Sequence, residues 1–243
     1  NTENDILQLP EKIAIEKGIQ IVICIDEFQQ ISDFEDSKTF QKKLRSVWQL
    51  QQHVSYCLFG SKKHLMNELF EKKNLPFYKF GDAIYLAKIE TKYWIEYICK
   101  RFENTGKYIS PELAEEICRL VDNHSSYVQQ LSWLLWIRTI NTATTEQLSY
   151  ALEDLLDQNN ILFQSETENL SAYQMNFLKA IVDGIHTKFS SKEVISKYNL
   201  GTSANIVRLK NALLQKELIE TNGKEIVLAD PVFGVWFKKE MLY

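Results

Sequence analysis

Two adjacent carboxylates close an apolar, strand-like run in this chain, Ile21-Val22-Ile23-Cys24-Ile25-Asp26-Glu27. At the carboxyl end of a strand, one acid of such a pair can hold a divalent cation while the next takes a proton from water. That is the chemistry of metal-assisted attack on a phosphoryl group. A second apolar run, Val54-Ser55-Tyr56-Cys57-Leu58-Phe59, closes on Gly60-Ser61-Lys62-Lys63. If the two strands are neighbours, Ser61 stands where a polar side chain can sense a terminal phosphate, with Lys62 as the weaker candidate. Acids also end buried strands simply because the chain meets water there, and Gly60-Ser61 also suits an ordinary loop start. The carboxylates alone leave both readings open.

Gripping a triphosphate takes backbone N–H groups and a lysine, usually supplied by G-x-x-x-x-G-K-[ST]. The chain has eight glycines, and lysine follows glycine only at Gly106-Lys107 and Gly223-Lys224. The glycine required five positions earlier is Arg101 in one case and Leu218 in the other, so residues 1–243 contain no such motif. Without those donors an acid pair repels a triphosphate except through Mg²⁺. The chain alone is therefore expected to bind ATP more weakly than ~1 mM and not to hydrolyse it.

The 243 residues suffice for one large domain or two smaller ones, and 45% hydrophobic with 25% charged residues is the composition of a globular protein. A net charge of −4 argues against a chain-wide nucleic-acid surface but not a local one. No apolar run approaches the roughly 20 residues that span a bilayer, so no membrane partner is expected. The start, Asn1-Thr2-Glu3-Asn4-Asp5, has neither Met nor the pattern of a signal peptide, as in a fragment or processed product. Cys24, Cys57, Cys99 and Cys118 form no C-x-x-C pair, and buried free thiols in a reducing cytoplasm are expected. The scattered histidines include no H-E-x-x-H, so no zinc site is expected.

The elements that must position the acids follow from periodicity. A helix over about residues 7–16 ends at Gly18, and five apolar, largely β-branched residues then suit a strand buried on both faces of a parallel sheet. Phe40, Leu44, Val47 and Trp48 recur at helical spacing before the second strand, completing a right-handed βαβ unit. A third strand is expected at Ala83-Ile84-Tyr85-Leu86. From Thr91 to about Asn160 the pattern is helical, with Ser110-Pro111, Ser125 or Ser126, and Thr144 or Thr145 as helix starts. The polar run 164–169 reads as a linker.

Beyond it, three helices (about 171–182, one capped by Ser190 or Ser191, and one introduced by Gly201-Thr202) precede two short strands joined at Asn222-Gly223. Asn-Gly between alternating residues is a strong hairpin signal, and the whole is the winged-helix variant of helix-turn-helix. From Leu170 onward ten basic residues face seven acids, a weakly basic +3. The candidate nucleic-acid contacts are Ser203 and Asn205 at the start of the recognition helix, with Arg208, Lys210 and the wing's Lys224 near phosphates. A protein-binding or autoinhibitory winged helix fits the same residues.

The runs IVICIDEFQQI, LRSVWQ, CLFGSKKHLM and PFYKFGDAIYL, then Tyr127-Val128-Gln129-Gln130-Leu131 and Asp230-Pro231-Val232-Phe233 with Trp236, together resemble the archaeal-type ATPase family of the AAA+ class, including its bacterial members. The resemblance covers nearly the whole chain in the family's order. It implies a partial P-loop NTPase α/β core over 1–90, a helical lid over 91–164 and a winged helix over 165–243. It also implies ATP and Mg²⁺ as cofactors, with Asp26 helping to coordinate Mg²⁺ through water, Glu27 activating the attacking water and Ser61 sensing the γ-phosphate. Two departures stand out: the phosphate-binding loop, and Tyr78-Lys79-Phe80 where many relatives read Tyr-Gly-Arg. Lys79 or Lys88 could replace that arginine, or be a solvated surface lysine. The sequence thus describes either a switch-like ATPase coupled to a winged helix, or a non-enzymatic DNA-binding or adaptor protein that keeps a degenerate core.

Overall fold

The computed structural model describes residues 2–242, which divide into two compact units, residues 1–85 and 86–243. The first unit runs α1 (Thr2–Lys17), β1 (Ile21–Ile25), a 3₁₀ turn (Phe28–Asp33), α2 (Ser37–Trp48), β2 (Val54–Leu58) and α3 (Lys63–Glu71). β1 and β2 pair in parallel, Ile21 against Val54 through Ile25 against Leu58, with α2 as the crossover expected from its apolar spacing. One face of this ribbon is covered by an aromatic core. Trp48 stacks on Tyr56 at 4.1 Å, and Phe28 meets Phe77 edge-on at 5.3 Å. Glu11 of α1 fastens the entry to β2 by accepting the backbone N–H groups of Gln52 (3.1 Å) and His53 (3.0 Å).

The opposite face of the ribbon is open. Val22 is 65% exposed, and Cys24 and Cys57, paired across the strands, are both exposed. The expectation of a strand buried on both faces, and of buried thiols at these two positions, is corrected. An apolar run shows that a strand could be covered on both sides, whereas the cover has to come from other elements. The strand expected at Ala83–Leu86 does not form either. Ile84 and Leu86 are 84% and 93% exposed, and no strand edge among the described residues pairs this stretch. A lone strand leaves its N–H and C=O groups unpartnered and has no reason to be one.

The second unit contains α4 (Thr91–Glu103), α5 (Pro111–Leu120), α6 (Ser125–Arg138), α7 (Thr145–Glu168), α8 (Ala172–Val182), α9 (Lys192–Tyr198), α10 (Ser203–Gln215), β3 (Ile219–Asn222), β4 (Glu225–Leu228) and α11 (Pro231–Leu242). Ser110 caps α5 through the N–H of Leu113 (3.2 Å), with Pro111 at the first helical position, and Thr144 and Gln147 form a capping box at α7. α6 begins after His124, which makes no side-chain cap, so neither Ser125 nor Ser126 plays that role. β3 and β4 form an antiparallel hairpin in which Asn222 still pairs with Glu225, so the turn is Gly223-Lys224, one residue beyond the expected Asn222-Gly223, with φ of +61° at the glycine.

The residues read as a linker at 164–169 are largely the last turn of α7. That turn is held because Phe163 and Thr167 point inward, 1% and 7% exposed. The helical region and the winged helix consequently share one continuous core, from Trp94 to Phe237. α11 joins them directly: Phe233 packs edge-on against Phe163 of α7 at 5.4 Å, and the Trp236 indole donates to Asn160 Oδ1 (2.8 Å). Among the described residues no helix is long and apolar enough to cross a membrane.

Candidate functional site

The parallel pairing of β1 with β2 brings both strand ends, and hence Asp26, Glu27 and Ser61, to one edge of the first unit. The ladder continues past the strands. Ile25 O accepts from Phe59 N–H (3.1 Å), and Phe59 O accepts from Phe28 N–H (3.0 Å). Between these two bonds the chain turns sharply at Glu27, whose φ of 49° and ψ of 41° are left-handed. A non-glycine residue pays roughly 1 kcal/mol or more for that conformation, so neighbouring bonds must hold it there. Glu27 N–H donates to Asp26 Oδ1 (2.8 Å), and Glu27 O accepts from Gln30 N–H (3.0 Å).

The Glu27 carboxylate is held on one side. Ser61 Oγ donates to Glu27 Oε2 (3.1 Å), and the Gln29 amide donates to the same oxygen. These donors, Gln29 foremost and then Ser61, with Lys62 nearby, keep the Glu27 carboxyl below the ordinary glutamate range despite partial desolvation. Glu27 is thus a charged acceptor whose pose is fixed by its neighbours. Asp26 is exposed, with one carboxylate oxygen used by the Glu27 backbone. Such an acid fits Mg²⁺ in the usual nucleotide-site manner, where the ion keeps several waters and takes its remaining ligands from one or two carboxylates and the phosphates. Among the described residues no cluster of three or more acids, histidines or cysteines could cage a metal unaided.

Gly60 is required by close approach. A Cβ there would lie 1.8 Å from Gln29 Oε1. Gln29 itself, 2% exposed, is the participant that sequence reasoning missed. It stands in the quoted Asp-Glu-Phe-Gln run, but glutamine at that spacing reads as a surface residue. Of the two lysines considered as arginine substitutes, Lys88 pairs with Asp122 (2.6 Å) and Lys79 lies over the Tyr78 ring. Neither Gly106 nor Gly223, the glycines followed by lysine, opens a helix. Both have positive φ in turns.

In the second unit, Ser203 and Arg208 are exposed on α10, Lys210 is half-buried beside them and Lys224 is exposed in the hairpin turn. Asn205 is different. Its amide donates to Leu200 O (3.0 Å), so the side chain holds the loop before α10 and is not free to reach a base edge. The outward face of α10 carries Ala204, Val207 and Asn211 as well as Arg208. Its charge is modest.

A parallel ribbon with its polar groups at the carboxyl end, followed by helices and a three-helix unit with a hairpin wing, is the mixed α/β fold of P-loop NTPases, ending in a winged helix. The model of a family described as "Probable winged helix domain" matches residues 161–239. Among solved structures, the Walker-type ATPase PABY2304 of Pyrococcus abyssi aligns with 97% of this chain and 67% of its own, with a TM-score of 0.74 and 17% identity. At that identity the likeness establishes the fold. The Thermotoga maritima RuvB Holliday junction branch migration motor aligns with 95% of this chain and 73% of its own (TM-score 0.45, 14% identity). The Aeropyrum pernix Orc1 protein in complex with DNA aligns with 93% and 66% (TM-score 0.44, 10% identity). No curated protein matches the chain.

Proposed function

We propose that residues 1–243 carry the water-activating side of an AAA+-type ATP-hydrolysing site, joined to a winged helix whose presentation depends on the nucleotide. The observation that carries this reading is the Glu27 carboxylate, ionised and fixed by donors from its own turn and from the end of the adjacent strand. Glu27 accepts the proton of the attacking water, and its fixed pose aligns that water with the phosphorus. Asp26 holds Mg²⁺ through water, and the ion supplies charge neutralisation at the phosphates when ATP is bound. Ser61 now donates to Glu27; a γ-phosphate oxygen competing for that O–H would link nucleotide state to the position of the base. The remaining phosphate donors are not among residues 1–243 and must come from elsewhere in the site.

The winged helix is the output, presenting α10 to DNA or to a protein. Because it shares a core with the helical lid, it moves with the lid rather than against it. The alternative, a non-enzymatic DNA-binding or adaptor protein with a degenerate core, leaves the Glu27 arrangement without a task. Replacing Glu27 with Gln in the complete gene product separates the two. The ATPase reading expects loss of turnover with nucleotide binding spared. Hydrolysis that is unchanged by the substitution, or absent from the unsubstituted protein, refutes it.

A further inference from the structure

We infer that Gln29 is a positioning residue for Glu27: its buried amide donates to carboxylate oxygen Oε2 and holds the carboxylate in the pose in which it receives the proton. This deepens the hydrolytic reading and takes its catalytic meaning from it. The contact itself stands independently.

Gln29 is locked in place. It lies in the 3₁₀ turn between Phe28 and Ile31, which are 4% and 6% exposed in the aromatic core, and is itself 2% exposed. Its Nε2 donates to Glu27 Oε2, the oxygen that also accepts from Ser61 Oγ (3.1 Å). Both side-chain donors fall on one oxygen, and the Ser61 backbone N–H adds a weaker hold on the same carboxylate. On its far side the amide has no hydrogen-bond partner: Oε1 is a buried acceptor lodged against Gly60.

This pattern is costly as packing. A buried acceptor without a donor costs on the order of 1–3 kcal/mol, and an apolar side chain of similar volume would avoid that cost. The return is a neutral donor aimed at Glu27. A lysine or arginine there would pin the oxygen more strongly but add a charge that competes for the carboxylate. Gly60 belongs to the same device, since any Cβ at that position displaces the amide.

Two measurements test the inference. In ¹⁵N-edited NMR of the 243-residue chain, the Gln29 side-chain amide is expected to show a downfield proton with slow solvent exchange. That signature should collapse on Glu27→Ala and on Gly60→Ala. A Gln29 amide that is solvent-like, or indifferent to Glu27→Ala in a folded variant, overturns the inference. In the complete gene product, Gln29→Met should lower kcat roughly 10- to 100-fold with KM for ATP nearly unchanged, the mark of a displaced base. An unchanged kcat in a folded variant also overturns it. If the unsubstituted protein proves inactive, the hydrolytic reading fails, and the amide signature alone decides the contact.

Discussion

Asp230 joins the winged helix to the preceding helical region at one carboxylate, and removing it should loosen both. Its Oδ1 caps α11 by accepting the N–H groups of Val232 (2.7 Å) and Phe233 (3.0 Å), while Oδ2 accepts the Tyr127 hydroxyl at 2.5 Å. Losing an N-cap costs about 0.5–2 kcal/mol, and losing a hydrogen bond to a charged partner about 1.5–3 kcal/mol. Glu166 lies close enough for Asp230 to disfavour its ionisation, and relief of that repulsion offsets part of the loss. The expected net cost of Asp230→Ala is roughly 2–4 kcal/mol, or roughly 5–15 °C in Tm for a cooperative unit of this size. Urea denaturation of the 243-residue chain, followed by tryptophan fluorescence and by circular dichroism, measures it. Tyr127→Phe should cost less, and the double variant should cost clearly less than the sum, because both changes remove the same bond. A loss below about 1 kcal/mol, or strict additivity, would show that the bond does not join the two parts.

Two further outcomes follow from burial. Desolvation, and secondarily Asp230, raise the Glu166 carboxyl above its ordinary value of 4.5. The folded chain therefore holds this proton more tightly than the unfolded chain, so the contribution of Glu166 to stability is fullest below pH 4.5 and is lost as pH rises through the raised value. Glu166→Gln should remove that decline, seen as a smaller loss of stability than wild type over this window; equal losses would contradict the assignment. Cys118 is fully buried, and desolvation pushes its thiol up to about 11, whereas Cys24 and Cys57 are exposed. A thiol reagent should label Cys24 and Cys57 at once and Cys118 only on unfolding, and equal labelling rates would refute the burial pattern.

Local rules made much of this architecture legible. The apolar spacing of Phe40, Leu44, Val47 and Trp48 places α2, Ser110-Pro111 and Thr144 fix two helix starts, and Asn222-Gly223 announces the hairpin, whose turn falls one residue later at Gly223-Lys224. What escaped was decided by tertiary partners. The open face of β1 and the missing strand at 83–86 depend on what lies alongside, which no local pattern encodes. The last turn of α7 is polar in composition, yet Phe163 and Thr167 anchor it. α11 was legible in principle, since Asp230-Pro231 before an apolar run repeats the logic of Ser110-Pro111. At the site, the acids and Ser61 declared themselves by ending apolar strands. Gln29 did not, because only the fold shows an amide turned inward beneath Gly60.

On the proposed reading, this chain carries the acids of a nucleotide site without the groups that grip phosphate. Isothermal titration calorimetry of Mg-ATP into the 243-residue chain measures this. A dissociation constant weaker than ~1 mM is expected, with Asp26 and Glu27 unable to retain the nucleotide alone. Micromolar binding would contradict it.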